Sequence, residues 1–210
     1  MTMSKWAGVL SVASAAALIV PAYVYLTGDL RTALGPWVYG LADLLYGPIW
    51  AASLIGSTSV VQARVRGGAP RRISASTAAT WLAAAAMVTV ACIRSANRQY
   101  HVTHPDLHLE DSTTVLVVWA TLVAAVIGAG WHFWGWAMVL LGTAAWATGR
   151  LPRVLSGLYV VAGFLAWFVF VLPDLEGGVL LLAFVVSLWQ AGYLLSARPQ
   201  GLAATALPAD

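Results

Sequence analysis

Runs of apolar residues long enough to cross a lipid bilayer dominate this chain and leave few folds open to it. A helix needs about 20 mostly apolar residues to traverse a hydrocarbon core of roughly 30 Å, because backbone N–H and C=O groups find no water there and must pair within the segment. Seven segments meet or approach that length: Trp6 to Leu26, Pro36 to Val61, Ser76 to Ile93, Thr113 to Gly130, Phe133 to Thr148, Val154 to Leu172 and Gly178 to Ser196. Hydrophobic residues make up 60% of the 210 and charged residues only 9%. A soluble domain carries about a quarter charged residues, so both a soluble globule and a disordered chain are excluded. The expectation is an all-α integral membrane bundle of seven transmembrane helices, a single domain over residues 1–198 with a short flexible tail over 199–210. Six helices are the alternative. The cluster WHFWGW at Trp131 to Trp136 reads as an interfacial aromatic hairpin between two spans, or as part of a re-entrant segment.

Breakers mark the expected helix ends: Gly28 with Asp29, Gly67 and Gly68 with Pro70, Gly149 with Pro152, and Pro173 with Gly177 and Gly178. Lys5 and the small residues Ser11, Ala13, Ser14 and Ala15 give the first segment some features of a signal peptide, but its apolar run continues past any such cleavage point and predicts a retained helix. Seven crossings put Lys5, Arg64, Arg66, Arg71 and Arg72 on one side. Arg31, Arg94, Arg98, Arg150, Arg153 and Arg198 fall on the other, so the two sides nearly balance. The dense cluster RVRGGAPRR, Arg64 to Arg72, lies in a short loop and favours a cytoplasmic N-terminus in a multi-pass cell-membrane protein. A net charge of +3, scattered along the chain, supplies no phosphate-neutralising patch for nucleic acid. The lone Cys92 has no intrachain disulfide partner. The oligomeric state is not readable from these residues.

Asp43, in the run PWVYGLADLLYGPIW from Pro36 to Trp50, is the most informative residue. A carboxylate at membrane depth costs roughly 2.5 to 3.5 kcal/mol at a helix centre, so it must face a protein partner or a wet cavity. Helical spacing puts Tyr39, Tyr46 and Trp50 on the same face. Consecutive spans run antiparallel, so Asp43, early in the second, lies level with Arg94 and Arg98, late in the third. Two readings follow: an ion pair that fixes helix packing, or a catalytic acid between two phenols. The adjacent Gly47 and Pro48 predict a kink that opens space beside the helix.

His101, His104 and His108, in HVTHPDLHLEDS, are the one candidate metal-ligand set. Pro105 interrupts the helix that would align them, and a polar loop capping the bundle is the competing account. No cofactor is expected: no pair of haem-ligating histidines is visible in the spans, and the seventh span has no lysine for a retinal Schiff base. Eleven tryptophans are many for this length, and Trp50, Trp81, Trp119, Trp146, Trp167 and Trp189 fall inside spans, where each N–H needs a partner or a cavity. Trp50, Trp81 and Trp189, with Arg94 and Arg98, are the expected substrate-binding residues around Asp43.

The segment WGWAMVLLGTAAWATGRLPRVLSGLYVVAG, Trp134 to Gly163, resembles a group of uncharacterised bacterial multi-pass membrane proteins in which a helix ends in a small residue, a basic residue and Leu-Pro-Arg, as at Gly149 to Arg153 here. The alanine-rich, arginine-over-lysine composition is similar to that of actinobacterial proteins. That resemblance implies a membrane bundle and no particular activity. In size and helix number the chain is also similar to small seven-helix membrane terpenoid cyclases, which protonate an olefin or epoxide from a buried acid. The expected function is a membrane-embedded lyase or isomerase acting on a lipophilic, isoprenoid-type molecule, with Asp43 as general acid and Tyr39 and Tyr46 shaping the pocket and stabilising positive charge. A direct Arg94–Asp43 contact would argue against that role. The alternatives are a small-molecule carrier and an accessory or sensor protein that docks a partner through small residues such as Ala83 to Ala86.

Overall fold

The computed structural model describes residues 2–27, 35–103 and 113–196. α1 (Met3–Thr27) precedes α2 (Gly35–Leu44), which runs through a π-helical turn (Leu45–Ile49) straight into α3 (Trp50–Arg66). α4 (Pro70–Thr103), α5 (Thr113–Thr148) and α6 (Arg153–Ala166) follow, then a 3-10 turn (Pro173–Leu175) leading into α7 (Glu176–Ser196). Five rods are long and apolar enough to cross a membrane: α1, the joined α2–α3 rod, α4, α5, and α7 with its 3-10 lead. α6 is a shorter apolar helix, prolonged by 3-10-type bonds in which the N–H groups of Trp167, Phe168 and Val169 donate to the carbonyls three residues back.

Seven helices were expected, and the difference lies in α5. Thr113–Gly130 and Phe133–Thr148 form one unbroken 36-residue helix. It is about 54 Å long at 1.5 Å per residue, so it overruns the hydrocarbon core instead of folding back within it. No proline interrupts it, and its glycines serve packing rather than turning. A Cβ on Gly128 would lie 2.9 Å from Phe170 Cβ, one on Gly135 would lie 2.5 Å from the Gly163 carbonyl, and one on Gly142 would lie 2.7 Å from the Ser156 carbonyl. These three glycines recur every seven residues, and their partners descend by seven, so α6 and its extension run antiparallel along a glycine groove in constant register. The aromatic cluster sits in mid-helix, with Trp131 and Trp134 fully buried and packed edge to face. α5 ends where Gly149, at φ 64°, adopts the left-handed conformation and donates its N–H to the Ala145 carbonyl.

Pro48 does not break the second rod. Proline removes one helical donor, and the π turn absorbs the defect, with the Trp50 N–H reaching back to the Leu45 carbonyl. Gly47 faces α4 so closely that a Cβ would lie 2.4 Å from Ala91 Cβ. Of Ala83 to Ala86, expected to present small residues to a partner, Ala83 and Ala84 are buried in the core, Ala86 is half-buried and Ala85 is exposed. Gly177 and Gly178, expected as breakers, lie within the first turn of α7.

Polar side chains join the rods where lipid offers them nothing. Gln62 donates to Ser76 Oγ at 3.0 Å, Ser76 donates to the Ala137 carbonyl at 2.8 Å, and Gln190 donates to Ser11 Oγ at 2.8 Å. At one end of the bundle Arg64 donates to Ser4 Oγ, Ser4 to the Leu194 carbonyl, and Arg150 to the Arg64 carbonyl. That end therefore gathers the start of α1, the α3–α4 turn, the α5–α6 turn and the end of α7, so the six rods alternate in direction. Lys5, Arg64, Arg66, Arg71, Arg72, Arg150 and Arg153 all lie there. Among the described residues every carboxylate (Asp43, Asp174 and Glu176) lies toward the opposite, acidic end, with Arg94 and Arg98.

Candidate functional site

Asp43 is buried, 2% exposed, and α1 and α4 both reach it. Tyr25 Oη donates to Asp43 Oδ1, and Arg98 donates to Asp43 Oδ2. Arg94 stands 4.0 Å from Oδ1 with its guanidinium 4.9 Å over the Tyr25 ring. Tyr39 packs against Tyr25 with ring centroids 5.5 Å apart. The level pairing of Asp43 with the two arginines follows from antiparallel helices, and Arg98 rather than Arg94 makes the closest contact. Both carboxylate oxygens accept hydrogen bonds, so the group is an acceptor in an ion pair, not a proton donor facing a ligand. Of the two readings of Asp43, an ion pair that fixes packing and a catalytic acid, this arrangement favours the first. Sequence spacing could not find Tyr25, because its place beside Asp43 depends on how α1 and α2 meet.

The other expected residues separate. Tyr46 and Trp50 are buried on the same face as Asp43, but they turn toward α5 and α7. Tyr46 Oη donates to Glu176 Oε1 at 3.4 Å, and Trp131 Nε1 approaches the same oxygen at 3.5 Å. Both contacts are long, so Glu176 is loosely held. Trp50 packs on Trp131 at 5.9 Å between centroids, its own N–H without a partner among the described residues. Trp81, 58% exposed on α4, points out of the bundle, and Trp189, 49% exposed on α7, lies toward the basic end. Neither is near Asp43, so their expected substrate-binding role there is not supported. His104 and His108 lie outside the described residues, and His101 falls in the last turn of α4.

A cleft of about 600 Å³ opens between α5 and the segment joining α6 to α7. Ala124, Ala125, Gly128 and Ala129 give it room on the α5 side, Val169 and Phe170 wall the other, and Pro173 and Glu176 close one edge. Only two of its lining groups titrate, His132 and Glu176. Trp136 Nε1 donates to His132 Nε2 at 3.1 Å, which assigns the ring proton to Nδ1, 3.4 Å from the Trp167 carbonyl. His132 Nε2 is thus committed, and Nδ1 makes a long contact with the backbone. Glu176, in the first turn of α7, has no hydrogen-bond partner at its second oxygen among the described residues. In the sequence it reads only as part of a helix boundary beside Gly177 and Gly178. His132 reads as an interfacial residue because α5 reads as two spans.

No protein-family model, curated protein or solved structure matches this chain.

Proposed function

We propose that this membrane protein takes a lipophilic small molecule from the bilayer into the cleft between α5 and α7, with Glu176 facing the molecule's polar end. The observation that supports this reading is a single loosely held carboxylate in a wall that is apolar but for Thr121 and His132, the composition expected of a small-molecule site: mostly apolar lining with a few placed polar groups. An isoprenoid chain suits the alanine- and phenylalanine-lined walls. Acid-initiated cyclisation or isomerisation of such a molecule would call on Glu176 in its neutral form, with the proton on Oε2 rather than on the Oε1 that accepts from Tyr46 and Trp131, and the rings of Phe133 and Phe170 line the space where positive charge would develop. Mass spectrometry of lipids extracted from the purified protein tests the reading. A discrete non-phospholipid is expected with wild type and is expected to fall at least about tenfold in Glu176→Gln, the loss of roughly one charge-assisted hydrogen bond. Bulk phospholipid alone in both would refute a specific site. Retention of the same molecule without turnover would make the protein a carrier or sensor of it.

The proposal includes an orientation. With six alternating rods, Arg150 and Arg153 join the basic end, and the near balance expected for seven crossings becomes seven cations against two among the described residues. By the positive-inside rule this asymmetry supports a cytoplasmic basic end, and with it a cytoplasmic N-terminus, in a cell-membrane protein. A cysteine introduced at the exposed Thr2, in a background where Cys92 is replaced by serine, is expected to react with a membrane-impermeant maleimide only after cells are opened. Labelling of intact cells would reverse the orientation.

A further inference from the structure

A second cleft, of about 620 Å³, runs along the outside of the bundle at the basic end, between the start of α6 and the last turns of α7. Its floor and walls are Val185, Leu188, Trp189, Gly192 and Tyr193, with Pro152 and Ser196 at the rim. Three arginines belong to the segments at the basic end of this apolar groove, and one of them, Arg64, touches its lining. Arg64 stacks on the Tyr193 ring at 5.2 Å, and Pro152 lies between Arg150 and Arg153 in the α5–α6 turn. Arg150 is fixed by its bond to the Arg64 carbonyl at 3.0 Å, and Arg153 is exposed on the first residue of α6. No carboxylate among the described residues lies at this end to neutralise them.

From this charge pattern we infer that the groove is a binding site for an anionic phospholipid. One acyl chain lies along Val185, Leu188 and Trp189, and the phosphate is held by Arg64, Arg150 and Arg153. An apolar trough would accept the chain of any lipid; the uncompensated arginines at its mouth select a headgroup that carries net negative charge. Arginine suits the task because its planar fork can donate two hydrogen bonds to one phosphate, and Trp189 and Tyr193 are residue types that settle at the headgroup level. The inference is independent of the α5–α7 cleft, with which this groove shares no residue.

Native mass spectrometry of the full chain, released from nanodiscs of equimolar phosphatidylglycerol and phosphatidylcholine, tests it. Wild type is expected to retain phosphatidylglycerol preferentially, and each guanidinium is worth about fivefold in occupancy. The variant Arg64→Gln/Arg150→Gln/Arg153→Gln is expected to lose that preference. Lys5→Gln/Arg71→Gln/Arg72→Gln removes the same charge from the same end away from the groove and is expected to keep it. An unchanged preference in the first variant, or an equal loss in both, would overturn the site. Should the first variant not fold, the exposed Arg153→Gln alone is expected to reduce phosphatidylglycerol retention about fivefold, and no reduction would equally overturn it.

Discussion

Gly135→Leu is expected to yield no stable, monodisperse protein, and Gly135→Ala to be destabilised by about 2–3 kcal/mol, the upper range for overpacking a filled interior. At this position a single methyl group would meet the Gly163 carbonyl at 2.5 Å and the Trp167 ring at 2.7 Å, and the reciprocal contact from Gly163 to the Gly135 carbonyl is 2.6 Å. The obstacle is backbone on both sides, so no rotamer change relieves it, and α6 must move away from α5 along the whole glycine groove. Between membrane helices, where lipid is as apolar as leucine, close backbone approach is a main source of association energy. Gly157→Ala provides the comparison, because its Cβ would meet only the Trp146 ring at 3.7 Å. It is expected to leave stability unchanged within about 0.5 kcal/mol. Thermal inactivation followed by size-exclusion chromatography separates the three variants. A stable Gly135→Leu protein would contradict the antiparallel register of α5 and α6.

Asp43→Asn is expected to cost about 3 kcal/mol, the lower end for breaking a buried ion pair by removing one partner. The lower end applies because the arginine side chains retain about a fifth of their surface, 20% for Arg98 and 22% for Arg94. Tyr25 can still donate to the amide oxygen, but the two guanidinium groups lose their only described counter-charge. Arg98→Gln removes the closest partner from the carboxylate, and the double variant Asp43→Asn/Arg98→Gln is expected to lose less than the sum of the two singles, because each single strands the other's charge. Additive losses would mean that the side chains do not act as a pair. Unfolding temperature, measured for the four proteins in one detergent, supplies the cycle.

The bundle was legible in the sequence because hydrocarbon imposes a length and a polarity on any segment that crosses it. The ends of α3 and α5 were legible because Gly67, Gly68, Pro70, Gly149 and Pro152 act locally. The helix count was not. Thr113 to Thr148 was split at the WHFWGW cluster, and the role of Gly128, Gly135 and Gly142 as a groove along one continuous helix depends on Phe170, Gly163 and Ser156, which lie up to about 40 residues away in the chain. That one misreading propagated: it moved Arg150 and Arg153 to the wrong end, hid the charge asymmetry, and left His132 as an interfacial residue. Asp43 was found, and its arginine partners were found, by helical spacing and antiparallel order alone. Which of its two readings the fold favours was not legible, because that depends on two donors, Tyr25 and Arg98, that reach it from other helices. Glu176 was missed because nothing local distinguishes a carboxylate that caps a helix from one that faces a cleft.

In the proposed site Glu176, not Asp43, is the carboxylate that meets a ligand. The most direct measurement compares the lipophilic molecule retained by wild type, by Glu176→Gln and by Asp43→Asn/Arg98→Gln, each quantified per folded protein after gentle detergent extraction. The account predicts near wild-type retention in the ion-pair variant and at least about a tenfold loss in Glu176→Gln. Loss in the ion-pair variant with full retention in Glu176→Gln would contradict it and return the site to Asp43.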